Sequence, residues 1–90
     1  MADAFAVEWS ASAQRDLAKL AEKIATAVVE FIYGGLADSP RRVGHELTLE
    51  LAGLHSARRG DFRVIYRIDD DDRRVIIVNI DHRSDVYRRR

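Results

Sequence analysis

The stretch FRVIYRIDDDDRRVIIVNI, residues 62–80, decides how this chain folds. Phe62, Val64, Tyr66 and Ile68 alternate with Arg63, Ile65, Arg67 and Asp69, the period of two that a strand with one buried face requires. Residues 75–80, VIIVNI, are apolar at consecutive positions, as in a central strand covered on both faces. Between them stand four aspartates, residues 69–72. Burying them side by side would be costly, so they read as a solvent-exposed, self-repelling hairpin tip. They lack the spaced pattern of a calcium loop, which favours a turn over a metal site.

The same reading extends outward. Leu47, Leu49 and Leu51 alternate with Glu46, Thr48 and Glu50, which predicts a further half-buried strand. Residues 34–40, GGLADSP, carry two glycines and the only proline and are expected to close a helical region. Within that region Ala13, Leu17, Leu20, Ile24, Val28 and Phe31 recur at spacings of three and four, an apolar helical stripe. Ser10 or Ser12 can cap it. A single helix of about 23 residues would be about 35 Å long and overhang so small a domain, so a helical hairpin is expected. Ahead of it, Phe5, Val7 and Trp9 alternate with Ala6 and Glu8 as a strand, with Trp9 in the core. The order β–α–β–β–β predicts one α+β domain spanning residues 1–90. It is a small, mostly antiparallel β-sheet with an N-terminal helical hairpin packed on one face.

A composition of 47% hydrophobic and 33% charged residues is that of an ordinary globular domain. With no cysteine there is no disulfide scaffold, thiol nucleophile or thiolate metal site. His45, His55 and His82 show no zinc spacing, so neither metal nor cofactor is expected. Asp3 stands where a signal peptide would carry a basic residue, and no run approaches the roughly 20 apolar residues of a membrane span. The expectation is a cytoplasmic protein without a membrane partner. The net charge of zero conceals a polarity. Residues 1–40 hold three basic and six acidic side chains, and residues 41–90 hold twelve and nine. Thirteen of the fifteen basic residues are arginine, the side chain suited to bidentate phosphate contact.

Those arginines gather at SARRGDFR, residues 56–63, where Arg58 and Arg59 are expected in the turn that leads into the strand bearing Arg63 and Arg67. Arg63 and Arg67 fall on the solvated side, opposite Phe62, Val64 and Tyr66. At the far end DHRSDVYRRR, residues 81–90, adds His82, Arg83 and Tyr87 just beyond the central strand. An imidazole, a phenol and several guanidiniums are the parts needed to cut RNA without a metal. A base takes the 2′-hydroxyl proton, an acid protonates the 5′-oxygen, and fixed cations hold the phosphorane charge. Tyr87 can also stack a splayed base. A bland reading stands beside this one. Arg58 and Arg59 can be surface charge on a turn, Arg63 and Arg67 can pair with Glu46, Glu50 or Asp61, and Tyr87 can anchor the C-terminus. Pattern alone stops at a small α+β domain with a cationic face.

Three ordered segments carry a resemblance. SAQRDLAKL, LAGLHSARRGDFRVIYRID and VIIVNIDHRSDVYRR together resemble RelE-type toxins of bacterial type II toxin–antitoxin systems, within the RelE/ParE superfamily. The closing DHRSDVYRR is similar to the actinobacterial, RelE/RelG-like branch. The resemblance implies a microbial-ribonuclease-like sheet and a ribosome-dependent mRNA endoribonuclease, an mRNA interferase, which inhibits translation by metal-independent 2′-OH attack. It implies Arg63 on the scissile phosphate and Arg58, Arg59 and Arg67 as phosphate- or RNA-binding. It likewise implies His82, Arg83 and Tyr87 as catalytic, with His82 as general acid. Better-known relatives carry lysines on the strand before the arginine turn. Here that strand reads HELTLEL and leaves Glu46 or His45 as base. The implied partners are a cognate antitoxin, RelB-like or Phd/YefM-like, mRNA on the ribosome, and operator DNA only through the antitoxin complex. ParE toxins share the fold and block DNA gyrase without cutting nucleic acid. Gyrase inhibition, and a degenerate toxin kept for antitoxin binding and autoregulation, therefore stand as alternatives.

Overall fold

Two long strands, β4 (Phe62–Asp69) and β5 (Arg74–His82), pair antiparallel and carry the centre of the core. Phe62, Val64 and Tyr66 from one and Val75, Ile77 and Ile80 from the other are buried together. A computed structural model describes residues 4–82. The remaining strands are β1 (Ala6–Trp9), β2 (His45–Glu46) and β3 (His55–Arg59), and the sheet runs β1-β5-β4-β3-β2. Three pairings are antiparallel, and β1 lies parallel to β5, so the sheet is mixed.

The predicted helical stripe is realised as two helices, α1 (Ala11–Ala18) and α2 (Glu22–Phe31). The break falls at Leu20 and Ala21, where Ala21 turns to an extended ψ of 148°. Ala13, Val28, Phe31, Ile32 and Leu36 cover the buried face of the sheet. Ser10 caps α1, its hydroxyl accepting from the Ala13 N–H at 2.9 Å. Helix α1 also completes the edge of β5 where β1 stops. The Ser10 N–H donates to the Ile77 carbonyl at 2.9 Å and its hydroxyl to the Val78 carbonyl at 2.8 Å. The Ile80 N–H then donates to Asp16 Oδ2 at 2.9 Å, and Asn79 Nδ2 to Ser12 Oγ at 2.8 Å. Backbone groups that an unpaired edge would leave exposed are thereby satisfied by the Ser10 N–H and hydroxyl and by the Asp16 carboxylate.

The helical region closes within residues 34–40 as expected, after running through both glycines as a wide π turn, Ile32–Leu36, a path that buries Ile32 and Leu36 completely. A short helix, α3 (Pro40–Val43), follows. Three expectations need correction. The alternating leucines of residues 46–51 form no long strand: β2 stops at Glu46 and Leu49–Leu51 is a 3₁₀ turn. Leu49 there has φ +58° and is 89% exposed, so its period of two has no face to bury. Trp9 is half-buried rather than central; its indole N–H donates to the exposed Tyr33 hydroxyl at 2.9 Å. Finally, the aspartate tip is not left to self-repulsion. Arg41 grips Asp70 with two bonds of 2.8 Å, and Arg74 reaches Glu8 at 2.6 Å and Asp69 at 2.8 Å. These pairs hold the Asp69 and Asp70 carboxyls below the usual range. Among the described residues no helix is long and apolar enough to cross a membrane.

Gly44 is required by close approach. A Cβ there would stand inside contact distance of both the Tyr66 hydroxyl and the Ser56 carbonyl. Tyr66 is itself fully buried, and its hydroxyl donates to the Pro40 carbonyl at 2.6 Å. Neither neighbour is free to yield. Gly44→Ala is therefore expected to lower stability by about 1–3 kcal/mol in urea denaturation, the ordinary range for overpacking.

Candidate functional site

The arginines are positioned by one tight hairpin. Strand β3 passes into β4 through Gly60 and Asp61, with Gly60 at φ +59°, a conformation glycine adopts without steric cost. Arg58 and Arg59 therefore lie at the end of β3 rather than in the turn. The register places Arg58 opposite Arg63, and Arg63 opposite Asp81. Side chains alternate across a strand, so these three share the face turned away from the helices. Arg67, two steps further along β4, joins them. All four side chains are exposed, and Arg58, Arg63 and Arg67 make no ion pair among the described residues. The cross-strand pairing that the sequence left open for Arg63 and Arg67 is absent from this set.

Arg59 belongs to the opposite face. It stands level with Phe62, and its guanidinium lies 5.4 Å from the centre of the Phe31 ring. Phe31 in turn meets Phe62 edge-on at 6.0 Å. Arg59 thus clamps the hairpin to α2, on the face opposite Arg58, Arg63 and Arg67.

A single β-bulge sorts the remaining candidates. Tyr66 pairs with Ile77, but Ile65 pairs with Asn79, leaving Val78 as the extra residue. One inserted residue reverses which face every later side chain takes. An unbroken ladder would set Ile80 opposite Arg63 and leave His82 on the arginine face, opposite Asp61. The bulge instead brings Ile80 into the core at 4% exposure and sets His82 level with Phe62, on the helix side. The described residues therefore do not bring His82 and Arg63 together. Arg83 and Tyr87 lie outside the described residues. Of the two candidate bases, His45 pairs with Ser56 and shares the arginine face, whereas Glu46 pairs with His55 on the other side. Glu46 Oε2 accepts from the Gly53 N–H at 3.2 Å.

Asp81 was not singled out in the sequence, although it is the acidic residue facing Arg63. Its only signal was its place beyond Asn79, and the bulge that turns it toward the arginines leaves no mark in the pattern.

Two groups behind this face, the buried Tyr66 and the half-buried His55, respond to pH. His55 stacks on Tyr66 with ring centres 5.5 Å apart. Burial pushes the Tyr66 phenol up to about 12, and burial lowers His55, against the opposing pull of Glu46. The unfolded phenol loses its proton near ~10 and the unfolded imidazole gains one near ~6.5. Stability from Tyr66 is whole below pH ~10 and is lost as pH rises toward about 12. Stability from His55 is whole above pH ~6.5 and is lost as pH falls through its lowered value. Urea denaturation against pH should show a plateau between these limits, and Tyr66→Phe should flatten its alkaline limb.

The family model described as ParE toxin of the type II toxin–antitoxin system, parDE, matches residues 7–87. The chain belongs to this family of toxins. The toxin is 52% identical over 85 residues to toxin RelG of Mycobacterium tuberculosis, covering 94% of this chain and 98% of that protein. To toxin RelE of the same organism it is 56% identical over 79 residues, 88% of this chain and 81% of the relative. The crystal structure of the toxin–antitoxin complex RelBE2 from M. tuberculosis matches with a TM-score of 0.88 and 49% identity. That match covers 90% of this chain and all of that one. The toxin thus has the RelE-like arrangement, helices on one face of a mixed sheet, with the arginine row on the other. It is the toxin component of a type II toxin–antitoxin system.

Proposed function

We propose that the toxin is a ribosome-dependent mRNA endoribonuclease that halts translation by cleaving RNA through 2′-OH attack without a metal. The observation that carries this reading is the open sheet face, where Arg58 and Arg63 stand directly opposite each other. Adjacent guanidiniums that form no ion pair among the described residues are suited to holding a phosphodiester and the charge that grows on it in the transition state. Arg63 contacts the scissile phosphate, Arg58 shares it, and Arg67 takes the backbone further along the strand. Arg83 and Tyr87 are proposed to complete the site from the C-terminal segment. With no net charge, the toxin binds free RNA weakly and relies on the ribosome to present the substrate.

The partner is a cognate antitoxin, as in the RelBE2 complex, and operator DNA is reached only through the toxin–antitoxin complex. The site of action is the cytoplasm, where translation takes place. A second reading, inhibition of DNA gyrase, is favoured by the match to the ParE model, since fold alone does not separate the two activities. Purified toxin added to free mRNA, to ribosome-bound mRNA and to a gyrase supercoiling assay discriminates them. Cleavage confined to the ribosome-bound message is the expected result. Blocked supercoiling with intact message would replace the first reading by the second.

A further inference from the structure

On the open face the ladder places His45 on β2, Arg58 on β3, Arg63 on β4 and Asp81 on β5. Two guanidiniums occupy the middle, and a titratable group stands on either side. Resting on the nuclease reading above, we propose that Asp81 is the general base and His45 the general acid of the cleavage.

The assignment follows from chemistry and placement. An aspartate is ionised at neutral pH and can only accept a proton, whereas imidazole is the side chain that carries one to give there. Asp81 is exposed, faces Arg63 across the β4–β5 ladder, and forms no ion pair among the described residues. His45 is exposed and level with Ser56, one same-face step from Arg58. With strands ~4.8 Å apart and same-face residues ~6.8 Å apart, the Cα atoms of His45 and Asp81 are separated by about 16 Å. In-line displacement needs the base and acid tips about 10 Å apart, with attacking oxygen, phosphorus and leaving oxygen between them. Side chains leaning inward from the two ends meet that span, and the phosphorus then sits over Arg58 and Arg63. Glu46 and His82, the carboxylate and imidazole that the sequence offered as base and acid, are turned to the opposite face.

In the step itself the 2′-oxygen forms a bond to phosphorus as its proton passes to an Asp81 carboxylate oxygen. The bond from phosphorus to the 5′-oxygen breaks, and the His45 imidazolium gives its proton to that oxygen. The products are a 2′,3′-cyclic phosphate and a 5′-hydroxyl, and exchange with water restores both side chains.

Single-turnover cleavage of ribosome-bound mRNA, followed against pH, tests this. Asp81→Asn and His45→Gln are each expected to slow cleavage about 100-fold, with the half-saturating concentration unchanged within about threefold. Asp81→Asn should remove the acid limb of the profile and His45→Gln the alkaline limb. Variants that cleave within about threefold of wild type, or loss of the two limbs in Glu46→Gln and His82→Gln instead, would overturn the assignment and leave the nuclease reading intact. Wild-type toxin that leaves ribosome-bound mRNA whole would overturn both.

Discussion

Replacing Arg63 with alanine is expected to abolish growth arrest and to slow cleavage by at least about 100-fold, the loss seen when one preorganised donor to a developing anion is removed. The size follows from where Arg63 sits. It is exposed, opposite Arg58 on one side and Asp81 on the other, and makes no ion pair among the described residues. It therefore contributes to a substrate and little to the fold, and its removal should leave the melting temperature within about 2 °C of wild type. Arg63→Lys keeps the charge and loses the planar fork, so it should recover only part of the activity. A folded Arg63→Ala variant that still arrests growth would remove this residue from the site. An unfolded one would show that its side chain is structural.

The second large effect is on stability. Tyr66→Ala should cost about 3–5 kcal/mol, the range for emptying a buried aromatic site. A chain of this length has only about 5–13 kcal/mol in total, so the variant should be substantially weakened in urea and prone to unfold on warming. Tyr66 is fully exposed to this loss because three contacts converge on it: the Pro40 carbonyl, the His55 ring and the backbone at Gly44. Tyr66→Phe separates the terms. It keeps the ring and leaves the Pro40 carbonyl without its donor, which should cost about 1–2 kcal/mol. An alanine variant that loses less than about 1 kcal/mol would show that Tyr66 is not the keystone of the sheet.

Much of the fold was legible because burial and period coincide in residues 62–80. The alternation of Phe62, Val64 and Tyr66 with Arg63 and Arg67 placed the arginines on the solvated face correctly. What escaped were features with the same pattern and a different cause. The leucines at 47, 49 and 51 have the spacing of a strand, yet Leu49 takes a left-handed φ and forms part of a 3₁₀ turn. Residues 34–40 do close the helical region, yet the π turn that first carries the chain through Gly34 and Gly35 to bury Leu36 leaves no mark in the pattern. The candidate site suffered most from the bulge at Val78. One unpaired residue moved His82 away from Arg63 and turned Asp81 toward it, and nothing in VIIVNIDH marks where the ladder slips. Arg59 was misplaced for a simpler reason: neighbouring residues on a strand face opposite ways, so Arg58 and Arg59 cannot share a face once β3 extends to include both.

The central claim is that the arginine row on the open sheet face makes this toxin an mRNA-cleaving enzyme. Primer extension on an mRNA in a translating extract, with wild type and Arg63→Ala side by side, tests it most directly. Discrete cuts within codons from wild type, absent from the folded alanine variant, are the predicted result. An intact message beside a wild-type toxin that still arrests growth would contradict the claim.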